Sequence, residues 1–89
     1  MNKSYLPIGS VVTMQGAKRK LMIIGTGVRD KETNKTYDYV AVPYPQGYLG
    51  AEAMFLCNQE DVETLDFLGY VNAEYQMLQL KIKENGTKN

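Results

Sequence analysis

Short apolar runs, cut by Pro, Gly and charged clusters, set the pattern of this chain. Pro7 and Gly9 lead into residues 10–14 (SVVTM), a β-branched, partly alternating run that predicts a first strand. Gly16-Ala17 breaks it at a turn. Residues 18–25 (KRKLMIIG) predict a second strand, antiparallel to the first because the connection is so short. Its centre, Leu21 to Ile24, is apolar at every position, and a strand of that pattern wants cover on both faces. Gly25-Thr26-Gly27 ends or bulges it, and the charged stretch 29–35 suits a solvated hairpin loop. Residues 36–42 (TYDYVAV) form a third strand, which Pro43 and Pro45 stop because neither can donate to a ladder. The loop 44–50 (YPQGYLG) places Pro45 and Gly47 where a turn needs them.

Residues 53–57 (AMFLC) read as a fourth strand. Asn58 to Asp61 reads as a capped helical turn with Asn58 as N-cap, and residues 62–70 (VETLDFLGY) as a fifth strand with Leu65 and Phe67 on one face. The last segment fits two periods. Val71, Tyr75, Leu78 and Ile82 recur at helical spacing behind an Asn72 cap, whereas residues 78–83 alternate as a strand does. The strong helix formers Ala73, Glu74, Gln76, Met77 and Leu78 favour the helix, which Gly86 stops. Met77 and Leu80 lie off the main stripe. The expected class is α+β and β-rich: about five short antiparallel strands in a bent sheet or SH3-like small barrel, with a C-terminal helix. One domain over residues 1–89 is expected, with 1–5 and 85–89 as flexible tails.

Composition narrows the function. Lys plus Arg equals Asp plus Glu at 10 each, so net charge offers no pull towards nucleic acid or an anionic membrane. No apolar run reaches the roughly 20 residues of a membrane span, and the N-terminal residues lack the apolar core of a secretory signal. A cytoplasmic setting is expected, in which the glycosylation-like triplets at Asn2, Asn34 and Asn85 are chance. The single Cys57 excludes an internal disulfide.

The chain has no His, hence no triad of the Ser-His-Asp or Cys-His kind and no usual zinc site. Cys57 sits in an apolar run, where a thiol is inert core. Glu60, Asp61 and Glu63 crowd together, but capping and solvation account for them. Gly25-Thr26-Gly27 lacks the third glycine of a phosphate loop, since Asp30 stands there. Lys18-Arg19-Lys20 reads as a solvated hairpin edge. These features predict no catalytic residue, no metal and no cofactor. Seven tyrosines exceed what so small a core needs, and Tyr44 and Tyr48 flank a turn. They serve either as caps of a barrel or as a partner surface.

Taken in order, Leu6-Pro7-Ile8-Gly9-Ser10-Val11-Val12, Lys20-Leu21-Met22-Ile23-Ile24-Gly25, Tyr37-Asp38-Tyr39-Val40, Tyr44-Pro45-Gln46-Gly47-Tyr48 and Phe67-Leu68-Gly69-Tyr70 resemble the bacterial family catalogued as domain of unknown function 4176, over about residues 6–82. The resemblance implies a small protein of Gram-positive bacteria, encoded near type VII (ESX-like) secretion genes and their toxin effectors. It implies an accessory role as adaptor or chaperone and brings no catalytic residues. The chain lacks Trp, so it is not expected to be a small Trp-x-Gly substrate of that system. The expected function is non-catalytic protein binding, with a secretion component or effector as partner. The surface would lie at Tyr44, Pro45, Gly47 and Tyr48, and next at Met77 and Leu80. A homodimer is the other use of the same apolar surplus. A ligand-binding or nucleic-acid-binding domain is the alternative; the first needs a deep polar cleft, the second a clustered basic stripe.

Overall fold

The computed structural model describes residues 4–16 and 18–87. Residues 1–3, Ala17 and 88–89, and with them parts of both expected tails and of the first turn, lie outside the described residues. Five strands form: β1 (Val11–Met14), β2 (Lys20–Arg29), β3 (Thr36–Tyr44), β4 (Phe55–Cys57) and β5 (Val62–Phe67). Single 3-10 turns at Ala51–Ala53 and Gln59–Asp61 flank β4, and helix α1 (Ala73–Thr87) ends the described chain. The strand order is β4-β3-β2-β1-β5, every pair antiparallel.

That order forces the sheet to bend. β4 and β5 are opposite edges, so in a flat sheet four spacings of about 4.8 Å would hold them roughly 19 Å apart. Only residues 58–61 join them, three of these in a 3-10 turn that rises about 2 Å per residue. Such a link spans roughly 10 Å, and the sheet curls to let it. β4 and β5 do not pair with each other, so of the two expected forms it is the bent, open sheet that exists. The β2 register shifts between Ile23 and Gly25, a bulge of the kind that increases twist.

Inside the curl, the register stacks Val12 on Leu21, Ile23 on Ala41 and Tyr39 on Cys57, and all six side chains are buried. Tyr5, Leu6, Met14 and Val62 pack around them. Tyr5 meets Tyr39 edge-on, with ring centroids 5.9 Å apart. The Tyr39 hydroxyl accepts the Leu6 N–H at 2.9 Å and donates to Gln59 Oε1 at 2.7 Å. Ser4 and Tyr5, expected in a loose tail, are thus held. The Ser4 carbonyl accepts from Gln59 Nε2, and the Tyr5 N–H donates to Gln79 Oε1 at 2.7 Å.

Three local expectations are corrected, at Pro43, at Gly86 and at the packed face of α1. Pro43 does not stop β3 but pairs with Leu21 inside it. Its carbonyl accepts the Gly47 N–H at 2.7 Å, so its polar backbone edge points away from β2, and β4 pairs with β3 only as far as Ala41. The missing N–H therefore costs no ladder bond. Residues 72–84, which fitted either period, are helical beyond the Asn72 cap, whose Oδ1 accepts the Tyr75 N–H at 3.0 Å; the helix passes Gly86 to Thr87. However, α1 packs through only part of the expected stripe, since Tyr75 and Ile82 belong to it while Val71 is exposed. Tyr75, Gln79 and Ile82 turn towards the body while Leu78 stays exposed. The Tyr75 hydroxyl donates to the Tyr5 carbonyl, so the helix holds on by polar contacts to the N-terminal segment.

Candidate functional site

The outer face of the sheet carries the clearest surface feature. Alternation along β2 sends Leu21 and Ile23 into the core, leaving Lys20, Met22 and Ile24 on the other side. Met22 lies between Val11 of β1 and Val42 of β3. A groove of about 440 Å³ opens here, floored by Val11 and Met22, with Phe67 and Tyr44 lining it together with Gly9, Lys20 and Asp66. Phe67 is 63% exposed and Tyr44 49%, so both rings meet solvent while lining an apolar floor. A polar rim is built beside them. Lys20 Nζ lies 3.6 Å from Asp66 Oδ2, and the Thr13 hydroxyl donates to that same oxygen at 2.6 Å. The exposed pair adds little stability, but it fixes where charge sits on the groove.

The predicted residues fall around this groove and apart from it. Tyr44 belongs to the groove. The Tyr44–Pro45 peptide bond is cis, Gly47 takes a φ of 83° and Tyr48 is 65% exposed on the turn that follows. Met77 and Leu80 are exposed on α1, where Met77 lines a shallow hollow with Ala73, Glu74, Leu78 and Lys81. That hollow shares no residue with the groove. Sequence reasoning missed Val11, Met22 and Phe67 as members of one surface. The two-sided apolar pattern of residues 21–24 was the signal, but which strands meet Met22 depends on register.

The inner side offers a different space. A cavity of about 510 Å³ lies between the β1–β2 connection and β4, lined by Met14, Leu21, Phe55, Leu56 and Cys57, with Gln15, Arg19 and Asp61 among its polar lining. Burial, with the Asp61 and Asp38 carboxylates adding to it, pushes the Cys57 thiol up to about 11. The thiol is therefore protonated at neutral pH and a poor nucleophile. Asp61 acts as a cap, its carboxylate accepting the Asn58 N–H at 2.9 Å. Among the described residues no three His, Cys, Asp or Glu side chains gather as a metal site. The basic cluster splits, since Arg19 lines the inner cavity and Lys20 the outer groove. Gly25-Thr26-Gly27 lies within β2 and leads to a hairpin rather than a helix, which leaves no phosphate loop.

No helix among the described residues is long and apolar enough to cross a membrane. No curated protein and no solved structure matches the chain. One family does, over residues 5–78, a span that takes in the whole sheet, the groove and the first turns of α1. The chain belongs to the family described as Domain of unknown function (DUF4176).

Proposed function

We propose that this chain is a non-catalytic protein-binding accessory of type VII (ESX-like) secretion, acting in the cytoplasm as an adaptor or chaperone for a secreted effector. The observation that carries the binding role is the open outer face of β2. A strand apolar on both sides has one side in the core and the other in a groove between two exposed aromatic rings, Tyr44 and Phe67. Apolar floor, aromatic anchors and a charged rim are the anatomy of a protein interface. The neutral net charge suits a protein partner better than a polyanion. The secretion setting rests on the order of motifs described above and on the type VII association that this resemblance implies.

The test is affinity capture from native cells with the tagged wild type and with a Tyr44→Ala/Phe67→Ala variant checked for folding by circular dichroism. Recovery of a secretion component or effector by the wild type, lost in the folded variant, is expected. Recovery that the variant leaves unchanged moves the interface off this groove. Failure to recover any secretion protein overturns the adaptor reading.

The inner cavity favours a second reading, a small apolar ligand held over Leu21 and Leu56, since its volume falls within the range of ligand sites. Native mass spectrometry of protein purified from its own cells would show such a ligand as a fixed mass increment.

A further inference from the structure

The exposed face of α1 is complementary to itself. Ala73, Glu74, Met77, Leu78 and Lys81 line one hollow. At about 100° per residue they occupy an arc of roughly 140°, and the packed side chains Tyr75, Gln79 and Ile82 centre about 140° further round. The face is thus free while the helix stays docked. Within it, Met77 and Leu78 form an apolar centre. Glu74 stands three residues before Met77, and Lys81 stands three residues after Leu78. One acid and one base are therefore placed symmetrically about the Met77–Leu78 midpoint, some 10 Å apart along the axis. That separation is too long for them to satisfy each other within one helix. Glu74 instead takes a 3.3 Å contact from the Asn72 amide.

We propose that a second copy of this chain covers this face, through an antiparallel α1–α1 pair whose two-fold axis passes between Met77 and Leu78. That register sets Glu74 of each copy against Lys81 of the other and Met77 of each against Leu78 of the other. The same patch serves both subunits, as a closed two-fold contact requires. A uniformly acidic or basic partner would match one end of the face and clash with the other, whereas an inverted copy matches both. The proposal uses none of the groove residues and does not rest on the reading under Proposed function.

Sedimentation velocity of the full chain, over micromolar to millimolar concentration, tests it. A concentration-dependent dimer is expected. Glu74→Lys and Lys81→Glu, made singly, each bring two pairs of like charges together and should weaken the dimer roughly tenfold. The double variant Glu74→Lys/Lys81→Glu restores both pairs with reversed sign and should recover most of the loss. Helix content by circular dichroism separates a lost contact from an unfolded helix, and the double variant carries both substitutions if helix loss is the cause. A chain monomeric at every concentration overturns the proposal. So does a dimer that the single reversals leave intact, or one that the double variant fails to recover.

Discussion

Gly69 shows how one missing atom holds two parts of the chain together. It is buried just after β5, its N–H donates to the buried Ser10 hydroxyl at 2.9 Å, and an added Cβ would stand 2.3 Å from the Ile8 carbonyl oxygen and 2.9 Å from the Ser10 nitrogen. Those neighbours are backbone and cannot swing aside. Gly69→Ala should therefore cost about 3 kcal/mol or more, by forcing apart the segment that leads into β1. Gly47 makes the contrast. Its φ of +83° is unfavourable to a side chain, but nothing stands within 4 Å of the added atom. Gly47→Ala should cost only about 1 kcal/mol. Urea denaturation of both variants checks the order, and equal losses would mean that backbone conformation, rather than close approach, governs Gly69. Gly47 was legible as a turn residue from Pro45-Gln46-Gly47, whereas Gly69 was expected inside a fifth strand that in fact ends at Phe67. Only the packing against Ile8, about sixty positions away in the chain, separates them.

Among the elements, α1 is held to the N-terminal segment by polar contacts. The Tyr75 hydroxyl bonds to the Tyr5 carbonyl and Gln79 Oε1 takes the Tyr5 N–H, while Leu78 and Leu80 stay in solvent. Tyr75→Phe combined with Gln79→Ala leaves both backbone groups of Tyr5 without these partners, a loss of about 1–3 kcal/mol in docking. Hydrogen exchange of α1 amides should then quicken by roughly ten- to a hundredfold, with the amides of β2 and β3 hardly affected, because docking and core open separately. Equal acceleration throughout would show instead that the helix and the sheet unfold as one unit. The helix itself was readable from Asn72, Glu74 and the run of strong formers. Its packed face was legible in part, in Tyr75 and Ile82 but not in Gln79. Hydrophobic periodicity assumes that apolar residues make the contact, and here Gln79 makes it through a hydrogen bond. The strands were more legible, because β-branched alternation and short connections act locally. Pro43 was one exception, tolerated because its backbone edge faces beyond the end of β4; the run of β2 on to Arg29 and the end of β5 at Phe67 were others.

At the scale of the whole molecule, the short link across residues 58–61 curls the sheet, and the curl separates an inner cavity from an outer groove. Tyr44 was legible as an exposed aromatic beside a turn. Its neighbours Met22 and Phe67 were not, since they meet it only through the pairing of β3 with β2 and of β1 with β5. The same curl buries two ionisable groups side by side. Tyr39 and Cys57 are cross-strand partners in the core, and burial raises the phenol to about 12 from 10.0 and the thiol to about 11 from 9.0. The Leu6 N–H bond opposes part of the tyrosine shift. Below pH 9 both groups are protonated in the folded and unfolded chains alike, so the stability tied to these shifts is fully present. From pH 9 to 11 the unfolded chain releases the Cys57 proton that the folded chain still holds, and from pH 10 to 12 the same holds for Tyr39. The unfolded state then binds fewer protons, so stability falls as pH rises. Each group should contribute a loss of roughly 2 kcal/mol across its window. Urea denaturation from pH 8 to 12 should show this decline, and Cys57→Ala should remove the part that begins at pH 9 while leaving the part that begins at pH 10. A wild type equally stable at pH 8 and pH 11 would mean that water reaches this pair through the open side of the sheet, and that the curl does not seal the core against ionisation.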